Sequence, residues 1–268
     1  MFTPEQVEQY KRDGYIMGPR IYSDEEAERL RLRMHEILKG KRSGAESVRN
    51  LLGEESDRTV FQIVNAWEAD DLFNAHIHNE RICELAAQLM DTDTVRVWHD
   101  QVQYKPSVIG GPTDWHQDHP YWPIIQPADL VSAWLALDDA TEENGCMWMV
   151  PGSHLWGPHK GGTIGTDANF DPAPDLDDLP AGITIRKVPC PVKRGHVMFH
   201  HCLTWHGSPN NYSEHGRPAI AVHFMPGHTR YEPDQAHIME DRVDVAPGEI
   251  LTGKYFPTVW EKGPVAVA

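Results

Sequence analysis

Apolar residues in the first third of the chain recur at helical spacing. Thr3-Pro4-Glu5-Gln6 carries a capping signature, with Thr as N-cap, Pro at the first helical position and Gln at the third; it predicts a helix ending near Gly14. Ser23-Asp24-Glu25-Glu26 repeats the logic, and Ala27, Leu30, Met34, Ile37 and Leu38 follow on one helical face. Asn79 caps a third helix that places Ile82, Leu85, Ala86 and Leu89 together. Such stripes are packing surfaces, made to lie against a core.

From about residue 94 the texture changes. Short β-rich runs occur at Thr94–Tyr104, Leu130–Leu137, Met147–Val150, Ile183–Val188, His196–His200 and Ala219–Met225, punctuated by Gly and Pro. Many short strands separated by turns favour a sandwich or barrel over a parallel α/β sheet. The chain therefore divides into a mainly helical part (1–93), a β-rich core (94–230) and an extension (231–268), with no internal repeat and no second domain. In the extension, Tyr255, Phe256, Val259 and Trp260 are apolar enough to dock. Gly161–Gly182 stands apart, with five Asp (167, 171, 175, 177, 178) among Gly, Pro and Ala, and reads equally as a lid or as a solvated insertion.

Composition narrows the class. A chain of 268 residues with 40% apolar content can bury one substantial core. No apolar run approaches the ~20 residues of a membrane span, and the N-terminus lacks a basic segment followed by an apolar signal core. The net charge of −16 repels phosphate backbones, so nucleic acid is not an expected partner; it also counts mildly against a coenzyme A thioester. Cys83, Cys146, Cys190 and Cys202 form no Cys-x-x-Cys pair, and a reduced, cytoplasmic setting is expected.

The candidate chemistry begins at His116-Gln117-Asp118. On a strand, residues two apart share a face, so an imidazole and a carboxylate can approach one metal ion. A third ligand must come from elsewhere. His206 is the best candidate, with His200 and His201 as its rivals; His119, His154, His196, His215 and His223 also compete on chemistry alone. Two His and one carboxylate make the facial triad of non-haem Fe(II) oxygenases, which leaves coordination positions open. Eleven residues past His206 stands Arg217, suited to gripping a carboxylate through two parallel hydrogen bonds.

These residues sit in a longer series. Phe2-Thr3-Pro4-Glu5-Gln6-Val7 and Arg12-Asp13-Gly14-Tyr15 open it. Gln103-Tyr104-Lys105-Pro106, Trp115-His116-Gln117-Asp118 and Trp134-Leu135-Ala136-Leu137-Asp138-Asp139 continue it. Asn144-Gly145, Val150-Pro151-Gly152-Ser153-His154, His206-Gly207-Ser208, Asn211 and Arg217 close it. In this series the chain resembles the phytanoyl-CoA dioxygenase family of Fe(II)/2-oxoglutarate oxygenases. The resemblance implies a mainly β fold, a jelly-roll (double-stranded β-helix, cupin-like) core with N-terminal helices packed outside. It implies Fe(II) held by His116, Asp118 and His206, with 2-oxoglutarate as co-substrate and O2 as oxidant. Arg217 and Ser208 would hold the far carboxylate of 2-oxoglutarate, Trp134 would line the same pocket, and Trp122 and Gln103 match co-substrate-pocket positions of a related hydroxylase.

The resemblance also implies a reaction. Related halogenases carry a small residue where this chain has Asp118, so hydroxylation of a small organic molecule is expected, with release of succinate and CO2; desaturation, epimerisation and ring formation are the alternatives. Trp115, His119, Tyr121 and Trp122, with Tyr104 and Asn65, are expected to crowd the mouth of the site. Two readings from other classes compete: a Zn(II) hydrolase using the same three ligands, and a non-catalytic jelly-roll metal-binding protein.

Overall fold

A computed structural model describes residues 1–38, 49–52, 60–107, 110–159 and 185–263; the Gly161–Gly182 segment lies outside them. The helices are α1 (Pro4–Asp13), α2 (Asp24–Leu38), α3 (Ala66–Ala69), α4 (Asp71–Ile77) and α5 (Glu80–Met90). The first seven strands are β1 (Tyr15–Arg20), β2 (Arg49–Leu52), β3 (Phe61–Val64), β4 (Thr94–Lys105), β5 (Thr113–His116), β6 (Ile125–Gln126) and β7 (Val131–Ala136). The others are β8 (Met147–Met149), β9 (Val188–Cys190), β10 (His196–His201), β11 (His206–Ser208), β12 (Arg217–Pro226), β13 (Arg230–Tyr231) and β14 (Thr258–Glu261).

The helix starts follow their capping chemistry. In α1, Thr3 Oγ1 accepts from the Gln6 amide and the Gln6 side chain accepts from the Thr3 amide, while Gly14 ends the helix at φ 79°. Ser23 and Glu26 form the same reciprocal pair before α2. Asn79 Oδ1 accepts from the Ile82 amide at 3.1 Å at the start of α5.

A larger antiparallel sheet runs β1-β10-β7-β12-β4-β3-β2, with β14 added to β4; a smaller one runs β5-β11-β8-β9. Together they form the jelly roll. Period-2 alternation sorts the larger sheet into two faces. Val131, Ala133, Leu135, Ile220 and Val222 point outward and pack against Met34, Phe73, Ile82 and Leu85 of the helices. Trp134, Met198, Ala219 and Ala221 point inward with Met147 and Met149 of the smaller sheet. The site therefore lies between the sheets, and the helices back the opposite face.

Three features depart from the sequence pattern. Tyr15–Arg20, with Gly18 and Pro19, does not read as a strand, yet β1 pairs with β10; as an edge strand it needs partners on one side only. Of the strand expected over Ile183–Val188, residues 183 and 184 lie outside the described residues; 185–187 are not in a strand, and pairing with β8 starts at Val188. The stretch before residue 93 contains β3 as well as helices, because β3 extends the larger sheet along β4. The C-terminal extension docks: Phe256 stacks on Trp98 at 5.6 Å and β14 pairs with β4. No described helix is long and apolar enough to cross a membrane.

Candidate metal centre and co-substrate pocket

β5 and β11 are neighbours in the smaller sheet, with His206 directly opposite His116. Cross-strand partners project to the same side, so the pairing alone brings the two imidazoles together, with ring centroids 4.2 Å apart. Asp118 follows β5 and completes the group. Its Oδ1 lies 3.7 Å from His116 Nε2 and 3.6 Å from His206 Nε2. Among the described residues these three form the one cluster of His, Cys, Asp or Glu with ligand atoms within 4.8 Å of one another.

The tautomers suit a metal. His116 Nδ1 lies 2.8 Å from the Asp114 carbonyl and His206 Nδ1 lies 2.8 Å from the Thr204 carbonyl. A carbonyl only accepts, so each ring carries its proton on Nδ1 and turns a bare Nε2 toward the cluster. Burial pushes both imidazoles below their ordinary range, against the pull of Asp118, so both are neutral at pH 7. Burial opposes ionisation of Asp118, but His206, the hydrogen bond from His200 and nearby His223 outweigh it and hold the carboxyl well below the usual range. Gln117, between the two ligands, faces away and fixes the turn: Nε2 donates to the Gly157 and Leu203 carbonyls, and Oε1 accepts from the His159 amide.

A second group lies in the same cavity. Arg217 opens β12 opposite Lys105 of β4, and only 2% of it is exposed. Its Nη1 donates to the Gly145 carbonyl at 2.6 Å, its guanidinium lies 5.2 Å from the Trp134 ring centre, and its Nε has no partner among the described residues. The Asn144-Gly145 pair builds that anchor: Asn144 bonds Thr141 and Asp139, and Gly145 takes φ 78°. Burial lowers the Arg217 guanidinium to about 10. Trp134 Nε1 donates to Gln103 Oε1 at 3.1 Å, and Gln103 donates to Gln101. Lys105 Nζ lies 2.7 Å from Ser208 Oγ and also donates to the Pro209 carbonyl. Burial, and then Arg217, push the Lys105 ammonium well below the usual lysine range. Among the described residues neither Arg217 nor Lys105 has a carboxylate in contact, and a buried guanidinium left this way calls for an anion.

His116, Asp118, His206, Ser208, Arg217, Trp134, Trp122 and Gln103 all line this one cavity. Trp122 sits with His99 and His223, away from the contacts that join Trp134, Gln103 and Arg217. Of the residues expected at the mouth, Tyr121 and Trp122 line the cavity and four do not. Trp115 alternates to the other face of β5 and packs with Val150 and Trp205. His119 turns its Nε2 to the Ile125 carbonyl. Tyr104 faces the helix layer beside His35 and Phe61, and Asn65 donates to Met239 Sδ. His201 points away too, with Nδ1 accepting from the Leu203 amide, whereas His200 contacts Asp118. Lys105 is the residue that the sequence reading missed. It stands two residues past Gln103 on the same strand, so alternation carries it to the inner face.

A model of the phytanoyl-CoA dioxygenase family matches residues 10–219. Phytanoyl-CoA dioxygenase domain-containing protein 1 of Mus musculus is 30% identical over 171 residues, which are 63% of this chain and 58% of that protein. The match thus spans little more than half of that relative. Peroxisomal phytanoyl-CoA dioxygenase of Bos taurus is 26% identical over 265 residues, 90% of this chain and 75% of that one. Among solved structures, SnoK, a non-haem α-ketoglutarate-dependent carbocyclase from nogalamycin biosynthesis, superposes with a TM-score of 0.77 at 29% identity, covering 96% of each chain. With its jelly roll, its His-Asp-His cluster and a family match over most of its length, the chain belongs to the phytanoyl-CoA dioxygenase family.

Proposed function

We propose that this protein is an Fe(II)- and 2-oxoglutarate-dependent oxygenase of a small organic molecule. The observation that carries the reading is the joint lining of one cavity by His116, Asp118 and His206 and by a buried arginine with no carboxylate partner among the described residues. The donor set fits the metal: two neutral imidazoles with fixed tautomers and one ionised carboxylate satisfy half of an octahedral sphere. The second group fits the co-substrate. Arg217 and Ser208 would bind its far carboxylate, with Trp134 covering the pocket wall beside them. When bound, iron and 2-oxoglutarate supply oxidative decarboxylation to succinate and CO2 and the oxidising power to attack a C–H bond.

Hydroxylation is the outcome that Asp118 favours, because its carboxylate occupies the position that a halide would need. Ring closure is the second reading, and the likeness to the carbocyclase over nearly the whole chain is what favours it. Tyr121, which lines the cavity and is exposed, marks the side from which substrate would enter. A zinc hydrolase or a passive metal-binding jelly roll would have no use for a buried arginine and serine beside the metal group.

The test is anaerobic addition of 2-oxoglutarate to the Fe(II)-loaded protein, followed by oxygen. A visible metal-to-ligand charge-transfer band and then succinate are expected. A protein that binds Fe(II) at this site yet gives neither is not an oxygenase of this class. Mass spectrometry of the product then separates a gain of one oxygen from a loss of two hydrogens.

A further inference from the structure

Asp118 has a second oxygen that takes no part in the metal cluster. Its Oδ2 lies 2.9 Å from Ser132 Oγ and 3.1 Å from His200 Nε2. Ser132 Oγ lies in turn 2.7 Å from His223 Nδ1. The three residues come from adjacent strands, β10, β7 and β12, and the register places them in one row: His200 opposite Ser132, and Ser132 opposite His223. All three are buried.

Proton accounting sets the direction of each bond. An ionised carboxylate only accepts, so His200 donates from Nε2 and Ser132 donates its single hydroxyl proton. Having given that proton, Ser132 can only accept from its other neighbour, so His223 donates from Nδ1. The donations converge from two sides on Oδ2, His223 through Ser132 and His200 directly, and Oδ1 is left toward His116 and His206.

We propose that His200, Ser132 and His223 are positioning residues that commit Asp118 to offer one oxygen to the metal. A carboxylate with both oxygens free can swing to chelate a cation through both. Two donors fixed on Oδ2 oppose that swing, and the coordination position it would fill stays open for co-substrate or dioxygen. This inference rests on the proposed metal site and assigns a purpose to a histidine that competes with His206 as a ligand on chemistry alone.

The test uses the full chain and Co(II), titrated anaerobically, with affinity read by chelator competition and geometry by the visible Co(II) spectrum. His200→Ala and Ser132→Ala should each lose about 10–100-fold in metal affinity, in the range for partners behind a ligand. Both should also change the Co(II) spectrum, because a second Asp118 oxygen would replace a solvent ligand on the ion. His200→Gln, which keeps an N–H donor near the Nε2 position, should restore affinity and spectrum. His223→Ala, one bond further from Asp118, should lose less than Ser132→Ala. Wild-type affinity and spectrum in both His200→Ala and Ser132→Ala would overturn the inference. So would abolished binding in His200→Ala beside retained binding in His206→Ala, which would make His200 the ligand. Should an alanine variant not fold, Ser132→Cys, a weaker donor of similar size, decides by the same two readouts. Absence of a charge-transfer band with Fe(II) and 2-oxoglutarate in the wild type would count against the oxygenase reading alone, because the Co(II) arm needs no co-substrate.

Discussion

In its ammonium form a lysine has hydrogens to give and no lone pair to receive. A dianionic co-substrate favours that form of Lys105, whose Nζ then donates to Ser208 Oγ and leaves the serine proton free to meet a carboxylate. Arg217→Ala should weaken 2-oxoglutarate binding by about 3–5 kcal/mol, the cost of leaving a buried charge without its partner, with metal affinity nearly intact. Ser208→Ala should cost about 1–3 kcal/mol, and Lys105→Met a similar amount; titration of the charge-transfer band measures all three. Equal 2-oxoglutarate affinity in wild type and Arg217→Ala would remove Arg217 from the pocket. A different residue sets a pH dependence. Burial raises the Asp100 carboxyl from its usual 3.8 to about 8, against the amide hydrogen bond from Trp67. A raised acid contributes stability that is full below the unfolded value and is lost as pH rises through the folded one. Asp100→Asn should therefore gain on the wild type between pH 4 and 8, by up to about 1.4 kcal/mol per pH unit, as followed by urea denaturation at several pH values. A flat difference across that window would mean that Asp100 ionises freely in the fold.

Single elements carry the geometry on which those residues depend. The turn at Gly145 shows this: a Cβ there would come within 2.6 Å of the Pro209 carbonyl, and φ is 78°. Gly145→Ala should cost about 1–3 kcal/mol in stability. It should also weaken 2-oxoglutarate binding, because the carbonyl that anchors Arg217 moves; thermal melts and the same titration test both. A loss of stability with unchanged co-substrate affinity would separate the turn from the pocket. The elements that were legible in the sequence are those whose signal is local. N-cap signatures and helical periodicity marked α1, α2 and α5, with Gly14 ending α1, and β-rich runs punctuated by Gly and Pro marked β4, β7, β10 and β12. His-x-Asp with Arg217 at its spacing marked the site. Edge strand β1 was illegible because its apolar alternation is broken by Gly18 and Pro19, and the pairing that makes it a strand comes from β10. Lys105 was hidden by its type, since a fully buried lysine is rare. Trp115 and His119 were misplaced because nearness in sequence to a ligand says nothing of face: Trp115, the neighbour of an inward residue on a strand, points outward, and His119 opens a 3-10 turn that carries its ring to the Ile125 carbonyl.

At the scale of the whole molecule, strand pairing and hydrogen bonds within the protein set the metal-binding side chains. The β5–β11 pairing and the two Nδ1 anchors set both imidazoles, and helix α1 braces the approach to His206, with the Gly14 carbonyl accepting from the His201 amide and the Thr204 hydroxyl. Chelator-stripped protein should therefore keep its far-ultraviolet circular dichroism. Its melting temperature should rise with added Mn(II) only as far as mass action requires, and unfolding on chelation would show instead that the metal is structural. The opposition of His116 and His206 across two strands has a kinetic corollary. The two residues lie on segments far apart in the chain, and no local contact can bring them together before that long loop has closed. A refolding chain is thus blind to the ion until its slowest topological step is complete. The onset of cobalt colour during refolding would time that step directly, lagging behind helix formation and coinciding with the arrival of the smaller sheet.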